Sequence, residues 1–155
     1  MVMHEVDAKT PRVLFLCSGN YYRSRFAEHL FNHLAEASGL AYRADSAGLW
    51  PECHTRNPGP MARDTIAALK ERGIALPPEL RSPRDVQASD IAEAALTIAV
   101  KEAEHRSIVV ARFPALLDRV EFWQVDDVDC APPTVALPMI ERHVHELIAR
   151  LSSKH

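Results

Sequence analysis

A thiol, a tight turn and a guanidinium follow one another in Cys17-Ser18-Gly19-Asn20-Tyr21-Tyr22-Arg23, and Ser24 stands immediately beyond. A cysteine thiolate is a strong nucleophile, and an arginine presents a planar fork of donors that matches a tetrahedral oxyanion. The five residues between Cys17 and Arg23 are enough for the backbone to wrap such an anion. If a strand precedes Cys17 and a helix follows Arg23, the N–H groups of the turn face inward, and together with the helix N-terminus they bind anions. The same positive potential favours the thiolate form of a cysteine placed at its centre. Each residue alone has a commoner role: a free cysteine is usually a small buried hydrophobe, and an arginine at a helix start is usually a surface cation. The combination with Gly19, Asn20 and Ser24 points instead to catalysis or oxyanion binding.

The loop needs elements to hold it. Val13-Leu14-Phe15-Leu16 reads as a strand buried on both faces. Phe26, Leu30, Leu34 and Ala37 recur at helical spacing over residues 25–37, and Gly39 ends that helix. A weaker strand over 42–46 turns out through Ser46-Ala47-Gly48 into a proline-rich loop, 51–60. A helix is predicted over 61–72 with Gly73 at its end, then a loop over 76–83, a strand over 94–100, a helix over 101–111, a strand over 120–125 and an acidic loop over 126–133. The last helix shows Leu137, Ile140, Val144, Leu147, Ile148 and Leu151 on one face. Strands alternating with helices predict an α/β fold: a three-layer domain with a four-stranded parallel sheet, helices on both faces and the anion-binding loop after the first strand. In such sheets the loops beyond the carboxyl ends of the strands share a crevice, so Cys17 and Asp127 are expected to meet.

The chain of 155 residues, 47% hydrophobic, suits one domain spanning 1–155, with 1–11 expected as a flexible extension. A formal charge of −3 leaves no basic footprint for nucleic acid or an anionic membrane. Cys17, Cys53 and Cys130 are too few and too far apart for a disulfide framework, which suits a reducing cytoplasm. No apolar stretch is long enough for a membrane span. His29 and His33 are four apart but lie on a polar stripe, and His143 and His145 point different ways on a helix, so no metal site is expected.

The segment from Val13 to Asn20 followed by Arg23-Ser24 resembles the signature of the low-molecular-weight protein tyrosine phosphatases, whose scaffold is shared by the thioredoxin-coupled arsenate reductases. Ala27-Glu28, Ser46-Ala47-Gly48 and the acidic loop at Asp127 extend the resemblance across nearly the whole chain. It implies a phosphomonoester hydrolase acting on phosphotyrosine or aryl phosphates through a cysteinyl-phosphate, without cofactor. Cys17 would attack phosphorus, and Arg23 with the loop N–H groups of Ser18, Gly19, Asn20, Tyr21 and Tyr22 would hold the oxygens. Ser24 would donate to the sulfur, and Asn20, in a left-handed conformation, would be tied to Ser46. A phosphorylated protein or small aryl phosphate is the implied partner, with inorganic phosphate or another oxyanion as ligand.

Departures from the family pattern set further expectations. The family's general acid lies in an Asp-Pro pair; here the order is Trp123-Gln124-Val125-Asp126-Asp127-Val128-Asp129. The offset from Trp123 selects Asp127 over Asp129 and Asp126. Tyr22 replaces a second cysteine, Arg25 replaces a proline and is expected to add a cation near the rim, and Leu80 stands where many members have a histidine. Val100-Lys101 stands where they often show Met-Asp. The aromatic pair after the acid gives way to Val128-Asp129-Cys130, so Tyr21, Tyr22 and Trp50 are expected to rebuild the substrate wall. Arsenate reduction is the alternative on the same scaffold, although 87–103 holds no relay cysteine and leaves only Cys53 and Cys130. The third reading is an oxyanion-binding regulatory module.

Overall fold

The computed structural model describes residues 10–50, 57–127 and 131–153. Its first strand, β1 (Arg12–Cys17), accounts for the uninterrupted apolar run before the cysteine. Side chains alternate across a strand, so Val13, Phe15 and Cys17 enter one core while Leu14 and Leu16 enter a second on the opposite face. A strand covered on both sides has no solvent face to mark with polar residues.

The chain continues through α1 (Arg23–Ser38), β2 (Arg43–Gly48), α2 (Arg63–Glu71), α3 (Ala88–Glu93), β3 (Leu96–Ala99) and α4 (Glu102–Arg112). A 3-10 turn (Pro114–Arg119), β4 (Val120–Phe122) and α5 (Pro133–Ser152) complete it. The four strands lie in the order β2-β1-β3-β4 and pair in parallel throughout. Phe26 and Phe31 of α1, Leu69 of α2 and Ile140 and Val144 of α5 pack on the Phe15 face. Ile91 of α3, Val109 of α4 and Leu116 and Leu117 of the 3-10 turn pack on the Leu14 face. This is the expected three-layer α/β domain.

Strand order reverses between β1 and β3, so the connections leaving them pass to opposite faces and open a crevice at the carboxyl edge, where ligands bind in such sheets. Cys17 ends β1 at that edge, opposite Gly48 of β2. Helix α1 stops because Gly39 adopts φ +71° and its N–H reaches Glu36 O at 3.2 Å, while the Leu40 N–H closes back on Ala35 O at 2.9 Å.

Several boundaries differ from those read in the sequence. Helix α3 was not anticipated: it is six residues long, its N-terminus is fastened by the Asp90 carboxylate accepting the Gln87 N–H at 2.7 Å, and Ile91 is its one buried residue. A single apolar anchor leaves no periodic stripe to detect. Because Ala94 closes α3, β3 is shorter than 94–100. Strand β4 ends at Phe122, yet the chain stays beside its neighbour as the Val125 N–H bonds Val100 O at 2.7 Å. Of the extension expected over 1–11, residues 1–9 lie outside the described set, and Pro11 is engaged as its carbonyl accepts the Arg43 N–H. No helix among the described residues is long and apolar enough to cross a membrane.

Candidate active site

Between β1 and α1 the loop turns its carbonyls outward. Those of Cys17 and Ser18 accept the N–H groups of Leu49 and Trp50 at 2.8 and 2.9 Å, and that of Tyr21 accepts the Ala62 N–H at 2.9 Å. The Asn20 carbonyl accepts from Arg25, and that of Tyr22 from the Thr65 hydroxyl. No N–H from Ser18 to Tyr22 donates to a protein acceptor among the described residues. Buried backbone donors seek partners, and these are left for a ligand on the inner side. Asn20 makes the turn possible: its φ of 53° is the one positive value among the described non-glycine residues, and asparagine tolerates that conformation.

The Asn20 side chain then uses its full hydrogen-bonding capacity. Its Nδ2 donates to Ser24 Oγ at 3.0 Å and Ser46 Oγ at 2.9 Å, and its Oδ1 accepts from Arg81 Nη1 at 2.9 Å and the Arg84 N–H at 3.1 Å. Ser24 Oγ lies 2.9 Å from Cys17 Sγ. Since Asn20 already donates to that oxygen, the hydroxyl proton is free to point at sulfur, where it supports a thiolate. Ser46 in turn donates to Glu28 and accepts from Arg81.

Arg23 is almost fully buried. A guanidinium has five N–H donors. Two meet the Glu104 carboxylate, Nη1 at 3.3 Å and Nη2 at 3.0 Å, and a third, on Nη1, meets Val125 O at 2.9 Å. The Nε–H and the outer Nη2–H remain, and they form the side edge of the fork. Asp127 Oδ2 stands 3.4 Å from Nη2. Burial opposes the charge on Arg23, but Cys17, Glu104 and Asp127 outweigh it and raise its pKa.

Glu104 also accepts from the Ser18 hydroxyl, and His105 Nε2 lies 3.1 Å from both Ser18 Oγ and Glu104 Oε2. The Lys101 N–H donates to His105 Nδ1 at 3.2 Å, which places a lone pair there and the ring proton on Nε2. The His105–Glu104 contact is therefore a hydrogen bond from a neutral imidazole to a carboxylate rather than an ion pair. Burial pushes the His105 pKa down despite Glu104. Burial also works against ionised Glu104, but hydrogen bonds from His105, Arg23 and Ser18 overcome it and hold the carboxyl well below the usual range.

Above the sulfur lies a cavity of about 460 Å³. Cys17, Gly19 and Arg23 line its floor, Tyr21, Tyr22, Pro58 and Ala62 its wall, and Arg63, Asp64 and Asp127 its remaining side. Tyr21 is fixed by its hydroxyl donating to Pro58 O at 2.6 Å. The Tyr22 hydroxyl is buried without a partner among the described residues, and burial, with Asp127 and Asp64 nearby, pushes its pKa up to about 12.

The structure thus brings Cys17, Ser18, Gly19, Asn20, Tyr21, Tyr22, Arg23, Ser24, Ser46 and Asp127 around one floor. Asp126 turns away to Lys101 Nζ at 2.5 Å. Trp50, expected on the rim, lines a separate groove with Ile108 and Arg112 instead, because its backbone is pinned to Ser18 O while its side chain projects to the far side of the loop. Arg25, also expected near the rim, is buried beneath the loop, drawn in by carbonyl acceptors. Asp129, Cys53 and Cys130 lie outside the described residues. Glu104, His105, Arg81 and Arg84 belong to the site but went unread. Each joins the loop from at least 61 residues away, and no local pattern marks them.

Residues 12–130 match the family model described as low molecular weight phosphotyrosine protein phosphatase. The protein-arginine-phosphatase of Bacillus subtilis (strain 168) is 31% identical over 108 residues, 70% of this chain and 67% of that protein. The crystal structure of a low molecular weight protein tyrosine phosphatase from T. tengcongensis superposes with a TM-score of 0.72 at 27% identity, covering 94% of this chain and 99% of that one. YfkJ from Bacillus subtilis shares the fold, with a TM-score of 0.81 at 23% identity over 94% of this chain and 97% of its own.

Proposed function

The chain belongs to the low molecular weight phosphotyrosine protein phosphatase family, and from that premise we propose that it hydrolyses phosphate monoesters of aryl groups, protein phosphotyrosine among them, through a phosphocysteine. The observation that carries this reading is the Cys17 sulfur, 2.9 Å from a serine hydroxyl, at the floor of a cavity whose unmatched loop N–H groups surround it. The thiolate attacks phosphorus in line, forming the P–S bond as the P–O bond breaks. The leaving oxygen takes a proton from the Asp127 carboxyl. Asp127, now ionised, removes a proton from water, whose oxygen attacks phosphorus and releases the thiolate and inorganic phosphate. The Nε–H and Nη2–H edge of Arg23 and the loop N–H groups take the charge on the equatorial oxygens. Ser24 stabilises sulfur as attacker and as leaving group. A thiolate of this kind survives in a reducing compartment, which supports a cytoplasmic location.

Phosphoarginine is a second reading, favoured by Asp64 and Asp127 on the cavity side and by the arginine phosphatase among the relatives. Two carboxylates suit a leaving group that carries a guanidinium. Steady-state turnover of p-nitrophenyl phosphate, phosphotyrosine and phosphoarginine peptides tests both. The wild type should turn over p-nitrophenyl phosphate, and Cys17→Ser should lose activity by at least about 10³-fold. Turnover retained in Cys17→Ser removes the covalent mechanism, and a kcat/KM favouring phosphoarginine over phosphotyrosine selects the second substrate.

A further inference from the structure

Arg25 is a buried cation with no ion pair among the described residues. Its side chain is 1% exposed. Nη1 donates to the carbonyls of Asn20 at 3.3 Å and Pro60 at 3.0 Å, Nη2 donates to the carbonyl of Arg81 at 2.9 Å, and Nε is buried with no acceptor among the described residues. Arg23, Arg81 and Arg84 each touch a carboxylate, whereas Arg25 touches none among the described residues. Burial and the neighbouring Arg81 lower its pKa to about 10, so the group stays charged at neutral pH.

A buried charge is strongly disfavoured unless an opposite charge shares its surroundings. Carbonyl dipoles supply part of the compensation, and the opposite charges that favour ionised Arg25 are Glu28 first, then Cys17 in the loop and Asp45. The charge count of the site leads to the same place. Arg23 is matched by Glu104 before any ligand arrives, and the Asp127 carboxyl stands 3.4 Å from its Nη2. The phosphate-binding arginine therefore brings no net positive charge to the pocket. Helix α1 has no acidic residue in its first turn and carries Arg23 and Arg25 there, cations at the end where the macrodipole favours anions. Such an arrangement is stable where an anion sits in front of it.

We propose that Arg25 is the cation that balances the Cys17 thiolate and a bound oxyanion from behind the loop, and that it also pins the Asn20 carbonyl so that the loop N–H groups face the ligand. It is a positioning residue, since the loop separates it from substrate. It joins three segments around the pocket: the loop through Asn20, the stretch between the cavity-lining Pro58 and Ala62 through Pro60, and the Arg81 segment that supports Asn20 and Ser46. The inference rests on the phosphatase reading only in taking the oxyanion to be phosphate.

The full-length chain tests it through two readouts that need no turnover: the dissociation constant for inorganic phosphate, and the rate of Cys17 alkylation by iodoacetamide at neutral pH. Arg25→Met keeps the buried stem and removes the charge; Arg25→Lys keeps the charge and loses the fork. Arg25→Met should weaken phosphate by about tenfold or more and slow alkylation several-fold, with most of both effects recovered in Arg25→Lys. Val144→Ala, a packing control on α5, should lower Tm and leave both readouts within about twofold. Phosphate binding in Arg25→Met within about twofold of the wild type overturns the proposal, as does a lysine variant no better than methionine. Should Arg25→Met fail to fold, Arg25→Lys decides alone: phosphate bound within about threefold of the wild type supports the role of charge, and a loss of about tenfold overturns it. A wild type that binds phosphate in an Arg25-dependent way but turns over no substrate overturns the hydrolase reading and supports this one; an active enzyme indifferent to Arg25→Met does the reverse.

Discussion

Asp127 stands 3.4 Å from Arg23 Nη2, beside a donor that the proposed phosphate would also use. A substrate oxygen that takes Nη2 competes with the carboxylate for that donor and brings the leaving group beside Asp127. Asp126 has no such route, because Lys101 holds it on the outside. Leaving groups that depart as stable anions need little proton donation, and poor ones need it in full. Asp127→Ala should therefore cost turnover of phenyl phosphate about tenfold to a hundredfold more than turnover of p-nitrophenyl phosphate. Parallel rates for the two substrates, each lowered equally, would assign the acid to another group. At this scale the sequence was informative where partners are close along the chain. Cys17, Asn20 and Ser24 fall within one turn of loop and helix, so their residue types betray their contacts. The Glu104–His105 pair, 81 to 87 residues from Arg23 and Ser18, looks like any polar stretch at a helix start. Arg25 was misplaced for a related reason: a cation beside a loop is ordinarily solvated, and the carbonyls that draw it inward come from Pro60 and Arg81.

Among the elements, β2 comes closest to the loop. A Cβ on Gly48 would lie 2.8 Å from Ser18 O and 3.3 Å from Asn20 Cβ. The first contact is with backbone that cannot swing aside, since Ser18 O is already held by the Trp50 N–H. Gly48 itself is fixed from the other side, donating to Arg84 O at 2.8 Å and accepting from the Val86 N–H at 2.9 Å. Gly48→Ala must push the loop inward, so it should lower stability by about 1–3 kcal/mol and raise KM for p-nitrophenyl phosphate. Thermal melts and steady-state kinetics read both, and a variant with wild-type Tm and KM would show that the loop can yield. The sequence reads Ser46-Ala47-Gly48 as the exit from a strand, whereas these residues complete β2, and the closeness of Gly48 to Ser18 depends on β1 and β2 pairing Cys17 with Gly48. The long periodic elements were legible for the opposite reason. Helix α5 buries Ile140, Val144, Leu147 and Leu151 at spacings that a helix alone satisfies, and the β1 run needs no polar residue because two cores share it.

For the molecule as a whole, the histidines and carboxylates with shifted pKa values push stability in one direction on the acid side of neutrality. His29, His105 and His143 all have pKa values lowered by burial. The unfolded chain therefore binds protons to these rings at a higher pH than the folded one does. Stability contributed by keeping them neutral is complete above the ordinary histidine range and declines as pH falls through about 6.5. His105 resists most firmly, because a proton on Nδ1 would face the Lys101 N–H that now donates to it. Glu104 and Glu141 also have lowered values: hydrogen bonds to Glu104 outweigh its burial, and the Arg72 side chain holds Glu141. Their share is present above the unfolded carboxyl value and is lost as pH falls below about 4.5. The Arg72–Glu141 pair, with contacts at 3.0 Å, ties α2 to α5, while Glu104 ties α4 to the loop, so acid loosens the layers and the site together. Tm should accordingly hold level above about pH 7, begin to fall near pH 6.5 and drop more steeply below pH 4.5. Glu104→Gln should flatten the acid limb, since it removes a group whose protonation the fold opposes. A wild type most stable near pH 5, or a Glu104→Gln variant with an unchanged acid slope, would mean that these buried groups do not govern the pH response of the fold.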